Sequence, residues 1–175
     1  MRVYNYTAME KKRERYKLLK SQLYASALFL LLFVSIVESK DKYLEKLIHI
    51  PVSIENNLGE KIEFKAYIAQ NYKQKRKGLM YIENLPENES MLFHFNPPRD
   101  VSMWMKNTVI SLDIIFLDSN KKIIKIHRNA EPESLKSIRS VKKAEWVLEI
   151  NAGLSENYKI DIGNIVSFEV QNTLN

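Results

Sequence analysis

Cysteine is absent from all 175 residues. That absence excludes disulfide stapling, a lipid-modified N-terminal cysteine and a thiol nucleophile, so any folded part must hold itself together by its core. The chain also lacks a comfortable membrane span. "LYASALFLLLFVSIV" (Leu23 to Val37) is uncharged for about 15 residues, whereas a helix crossing a bilayer needs ~20. Internal repeats and low-complexity tracts are missing too.

What is present begins with charge. The formal net charge is +6 and the pI near 9.3, a balance that points at first to an anionic partner. Its distribution says otherwise. Residues 1 to 22 hold seven Lys/Arg against Glu10 and Glu14, or 7 − 2 = +5, while from Lys40 onward 20 basic and 18 acidic residues leave only +2. The basic signal belongs to the leader. "KKRERYKLLK" (Lys11 to Lys20) followed by the apolar run has the order of an export signal, with small residues Val37 and Ser39 at −3 and −1 of a cleavage site before Lys40. An uncleaved N-terminal anchor with its basic end in the cytoplasm is the alternative, and Met9 is a second candidate start. The expected location is therefore periplasmic or otherwise extracytoplasmic, soluble or tethered. Residues 1–39 are read as this leader, 40–47 as a charged linker and 48–172 as one domain.

From Ile48 the pattern has period two. Ile48, Ile50, Val52 and Ile54 alternate with His49, Pro51, Ser53 and Glu55; Ile62, Phe64, Ala66 and Ile68 alternate with Lys61, Glu63, Lys65 and Tyr67. "NNLGE" between them predicts a hairpin turn, and Pro51, which has no N–H, marks the first strand as an edge. "NYKQKRKG" predicts a short helix capped by Asn71 and ended by Gly78. Further strands are expected at 90–95, 101–106, 109–117, 122–128, 144–150 and 165–170. About eight short strands with one or two short helices predict a mainly β fold, a jelly-roll-like sandwich or closed barrel.

Several motifs fall in a fixed order: "AYIAQNYKQKRKGLM" (Ala66 to Met80), "LPENESMLFHF" (Leu85 to Phe95), "MWMKNTVISLDIIFLDSNKKIIKI" (Met103 to Ile126), "EWVLEINAG" (Glu145 to Gly153) and "IDIGNIV" (Ile160 to Val166). Together they resemble the bacterial and archaeal family known as domain of unknown function 192, over nearly all of residues 50 to 170. The resemblance implies a compact, mainly β fold of jelly-roll type, often behind a signal sequence, with no established activity, substrate or cofactor. Ser90 stands where the family usually has Gly, Asn120 and Lys121 fill a turn that usually carries Gly, and Asn164 replaces a common Asp. The first substitution narrows any pocket beside Met91.

The central motif poses a chemical question. In "VISLDIIFL" Ile110, Leu112, Ile114 and Phe116 form one face and Val109, Ser111, Asp113, Ile115 and Leu117 the other, so Asp113 lies in an apolar strand and needs partners. Lys106, Asn107, Thr108 and Arg76 are the candidate donors. Two readings stand. Either Asp113 ties down a turn through backbone amides, or Asp113, Lys106 and Asn107 floor a site walled by Trp104 and the methionines Met80, Met91 and Met105. The first gives Asp113 a purely structural role; the second makes the domain a non-enzymatic binding module for a small molecule or an envelope protein, centred on Trp104, or alternatively a hydrolase-like enzyme with Asp113 as base and Lys106 as electrostatic stabiliser. Thioethers at Met80, Met91, Met103 and Met105 also suit Cu(I), although Met fills cores and none is spaced Met-x-x-Met. No metal or cofactor is expected. Ser102 and Ser111 have no nearby His, Glu145 and Glu149 read as an outward face, and "KQKRK" reads as a solvated helix face without the aromatics that nucleic-acid binding would use.

Overall fold

The computed structural model describes residues 10–11, 13–26 and 43–170. The chain divides into a unit up to Lys42 and a folded unit from Tyr43. In the first, residues 13–26 are helical and exposed, with Lys17 paired to Glu14 at 2.8 Å. Most of the apolar run and the cleavage site before Lys40 lie outside the described residues. Among those described, no helix is long and apolar enough to cross a membrane.

Each predicted run contributes a strand, but those expected at 101–106, 109–117 and 165–170 shrink to Ser102–Met103, Leu112–Leu117 and Ile165–Ser167, and the rest of the first is loop. The strands are β1 (His49–Glu55), β2 (Lys61–Ala69), β3 (Glu89–Arg99), β4 (Ser102–Met103), β5 (Leu112–Leu117), β6 (Ile123–Ala130), β7 (Ile138–Arg139), β8 (Ala144–Asn151) and β9 (Ile165–Ser167). Seven of them form one sheet in the order β6-β5-β8-β3-β2-β1-β9, and β4 with β7 makes a small ribbon. This is a single curled half-barrel, not two antiparallel sheets. One pair, β2 with β3, is parallel, and such a pair needs a crossover. The crossover carries α1 (Tyr72–Lys77), whose Asn71 cap accepts from the Gln74 amide in a full capping box. Gly78 ends it with positive φ of 49°.

The sheet's two outer strands meet at one corner. Val166 donates to the Lys121 carbonyl at 3.0 Å and Ile123 to the Asn164 carbonyl at 2.9 Å, with one bridge between Lys122 and Ile165. That is a stitch, not a ladder. Pro51 explains where the ladder on the other side of β9 stops. The Ile68 amide bonds the Ile48 carbonyl, so even-numbered residues of β1 aim at β2 and odd-numbered ones at β9. Pairing of β1 with β9 covers Ser53 to Glu55 and ends before Pro51, the odd position that has no N–H to give. Beyond it the two segments diverge around a cleft of about 940 Å³ lined by Ile50, Pro51, Ile68, Phe168 and Val170.

Each face of the sheet buries its own core. The concave face holds Val52, Ile54, Phe64, Leu92, Ile115, Leu117, Trp146, Leu148 and Ile150, closed below by Leu154 of α2 (Leu154–Asn157) and by Ile160. The convex face holds Met91, Phe93, Leu112, Ile114, Phe116 and Val147 and is covered by Leu79, Ile82, Leu85, Val101, Met105 and Ile138. The predicted alternation of Leu112, Ile114 and Phe116 against Asp113, Ile115 and Leu117 is seen in β5, all six of whose residues are buried. Leu44 and Leu47 join the convex core, so the packed unit takes in residues whose charge pattern resembles a linker.

Candidate functional site

Asp113 is fully buried and turned toward the concave side. Its Oδ1 accepts from the Asn129 amide at 2.8 Å, and its Oδ2 from the Ser155 amide at 3.0 Å and the Ser155 hydroxyl at 2.7 Å. Three donors, two of them backbone, satisfy a buried carboxylate and tie the β6 end and α2 to β5. The expected donors are not the ones used: Lys106, Asn107, Thr108 and Arg76 make no bond to it. Ser155 is itself fully buried and bonds the carboxylate directly, so serine, aspartate and the nearby His127 are not in the order that activates a nucleophile. Ser111 instead donates to the Ala130 carbonyl, and Ser102 pairs with Ser137.

The remaining motif residues gather on the convex side, in the loop between β4 and β5. Met105 is fully buried; its neighbour Trp104 is 44% exposed. The loop is pinned from several directions. Met105 donates to the Ser134 carbonyl at 3.0 Å, Thr108 to the Met105 carbonyl at 3.0 Å, and Glu133 to the Thr108 carbonyl at 2.9 Å. A second loop is sewn to it: the Tyr81 amide bonds the Asn107 carbonyl at 2.8 Å, and the Asn107 amide side chain bonds the Tyr81 hydroxyl at 2.6 Å. Both Tyr81 and Asn107 have positive φ, 65° and 54°, a conformation that costs a non-glycine residue energy. The Lys106 ammonium stands 5.4 Å from the Trp104 ring centroid, within cation–π range. Tyr81 and Val109 are exposed alongside.

Trp104, Met105, Lys106, Asn107 and Thr108 thus form one rigid loop, and Met80 adjoins it through Tyr81. Met91 and Met105 are both fully buried in the convex apolar cluster, against which Met103 packs. Arg76 lies exposed on α1 and Asp113 on the opposite face of the sheet, so neither joins the loop. Among the described residues no group of three His, Cys, Asp or Glu is placed to hold a metal. Trp104 lines neither the cleft beside Pro51 nor a smaller one of about 300 Å³ between Phe64, Asn88 and Tyr158.

Glu149 is the residue that the sequence pattern misplaces. Glu145 is partly exposed and lies 3.4 Å from the His94 ring nitrogen, but Glu149 is only 4% exposed. It sits in β8 between its cross-strand partners Met91 and Ile114, on the convex face. Among the described residues its carboxyl has no hydrogen-bond or ion-pair partner, and its oxygens keep a narrow contact with solvent, the Tyr43 hydroxyl being the sealed polar atom left without a partner. Burial alone pushes that carboxyl up to about 8, so it is protonated at neutral pH. The signal was Val147: an aliphatic residue between Glu145 and Glu149 on the supposed outer face shows that this face is covered too.

Comparison with known proteins agrees with this architecture. Residues 53–168 match the model of the family described as uncharacterized ACR, domain of unknown function 192. The chain belongs to that family. Two solved structures are similar: a candidate transcription regulator from Sinorhizobium meliloti 1021, 33% identical, covering 70% of this chain and 95% of its own with a TM-score of 0.68, and a protein of unknown function from Novosphingobium aromaticivorans DSM 12444, 35% identical, covering 69% and 86% with a TM-score of 0.67. No curated protein matches.

Proposed function

We propose that this is a non-enzymatic binding domain, carried outside the cytoplasmic membrane by its leader, that recognises a protein partner through the Trp104 loop. The observation that carries the reading is a large aromatic ring, 44% exposed, on a loop held by hydrogen bonds at Met105, Asn107 and Thr108. Exposed, rigidly held aromatic side chains with an adjacent cation are the anchors that dominate binding at protein interfaces. A ring on a loop surface, outside both clefts, suits a macromolecular surface better than an enclosed small molecule. Glu149 adds support, because a buried carboxyl without a partner lowers stability and such groups persist where function requires them. The enzyme alternative loses its base, since Asp113 is sealed and already accepts three bonds. The Cu(I) alternative has weaker support in methionines that fill an apolar cluster.

Photo-crosslinking tests the proposal. A benzophenone side chain placed at Val109 of the full chain, exposed beside an intact Trp104, is expected to trap one discrete partner in cells, and one placed at Leu58, exposed in the β1–β2 turn, to trap none. Equal, diffuse capture from both positions, or none from either, would refute it. Fractionation of the same cells tests location separately: full-length soluble chain in the cytoplasm would end the export part of the reading.

A further inference from the structure

The unit that follows the leader is nearly neutral, yet its cations are not evenly spread. Lys73, Lys75, Arg76 and Lys77 occupy four of the six positions of α1, and its first turn contains no acid. Lys77 lies over the Tyr43 ring at 3.5 Å, and Lys75 and Arg99 flank the Phe95 ring at 5.4 and 5.0 Å. Lys46 stands close enough to Lys77 to repel it. Burial, then Lys46 and Lys73, hold the Lys77 ammonium below its usual value, and burial, then Arg99, does the same for Lys75. Among the described residues none of these six cations forms an ion pair. The acids adjoining them in the chain are Glu45 and Asp100, both exposed.

Lys46 and Lys73 crowd Lys77, and Arg99 crowds Lys75, an arrangement that is unfavourable in the isolated domain and that an anionic surface would relieve. The chain's own path says which surface. Tyr43, beneath Lys77, is the first residue of the folded unit, so the polypeptide enters the domain within the basic face. Only residues 38–42 separate it from the end of the apolar run at Val37, a reach on the order of 20 Å at full extension. The anionic surface that a retained leader would bring to the chain is the phospholipid bilayer.

We propose that the Lys46–α1–Arg99 face is a docking surface for anionic phospholipid. This rests on the reading that the leader is kept as an anchor. Clusters of this kind bind anionic headgroups electrostatically and release them at high salt. Docking through α1 leaves the opposite end of the domain, the β1–β2 turn, away from the bilayer. Tyr72 and Leu58 lie at the two ends of β2, about 30 Å apart by strand rise, and both are exposed.

Because the chain has no cysteine, Tyr72→Cys and Leu58→Cys each give a single labelling position in the full-length protein. The labelled chains are reconstituted in vesicles carrying headgroup-nitroxide quencher, composed either of phosphatidylcholine or with about one third phosphatidylglycerol. The position-72 probe is expected to be quenched at least about threefold more in anionic vesicles. That excess should vanish near 1 M salt, where screening lengths fall to ~3 Å, and fall about tenfold in the exposed pair Lys73→Glu/Arg76→Glu. The position-58 probe should be insensitive to composition. Equal quenching of position 72 in both vesicle types, or no effect of the charge reversal, would overturn the proposal. So would retention of duplex DNA through the same cations without any response to lipid charge. The mass of the chain recovered from cell envelopes reads leader retention independently, so a cleaved leader is distinguished from an intact anchor whose domain does not dock.

Discussion

Asp113 and Glu149 sit on adjacent strands of one sheet, one residue apart in register, since Asp113 pairs with Ile150 and Ile114 with Glu149. Both are buried. They face opposite ways and have opposite surroundings. On the concave side Asp113 collects three donors and ties the adjoining strand β6 and the helix α2 to β5; on the convex side Glu149 lies between a methionine and an isoleucine with no partner among the described residues. A hydrogen-bonded buried charge contributes structure, whereas an unbonded carboxyl escapes its desolvation penalty only by keeping its proton. The concave face is thus a structural core, and the convex face, which carries the Trp104 loop, bears a group that stability alone does not explain.

The sharpest way to break this contrast is to remove each carboxylate. Asp113→Ala leaves two buried amides and the Ser155 hydroxyl without their acceptor, and is expected to lower unfolding free energy by roughly 3–5 kcal/mol in urea denaturation. Glu149→Gln should do the reverse. With a folded value of about 8 against an ordinary 4.5, the native state holds a proton that the unfolded chain has lost between those limits. Stability is therefore greatest below about pH 4.5 as far as this group is concerned, falls as pH rises, and levels off above about 8. At pH 7 the neutral amide is expected to be more stable than wild type by about 3 kcal/mol, and to lose this pH dependence in midpoints measured from pH 5 to 8.5.

Smaller effects separate the loop from the scaffold. Asn71→Ala removes the α1 cap and should cost about 1 kcal/mol in thermal or urea unfolding, without touching the convex loop. Trp104→Ala and Lys106→Met, at exposed positions, should each change stability by no more than about 0.5 kcal/mol while abolishing partner capture. A large loss of stability in either would make the loop part of the core and weaken the binding reading.

The contrast also shows what a sequence of this kind reveals. Strand period, the β1–β2 hairpin and the Asn71 cap are local properties, and they were legible because hydrophobic alternation and turn chemistry act over a few residues. The need of Asp113 for partners was equally visible. Its partners were not, because Asn129 and Ser155 lie 16 and 42 residues away, and Ser155 belongs to a four-residue helix hidden in what reads as a turn. The parallel β2–β3 pairing and the single curled sheet depend on strand order, which alternation does not encode. Glu149 was misread because alternation assigns an outer face without saying whether another layer covers it. Trp104 to Thr108 are contiguous and lie in one loop, whereas Asp113, close to them in the motif, bonds Asn129 and Ser155 instead.

The comparison of the two faces comes down to the sign of one difference. Urea midpoints of the native, Asp113→Ala and Glu149→Gln proteins, measured together at pH 7, test it most directly. The account predicts the first variant well below the native protein and the second above it. A Glu149→Gln protein that also unfolds below native would mean that Glu149 is bonded and structural, like Asp113, and would contradict the assignment of function to the convex face.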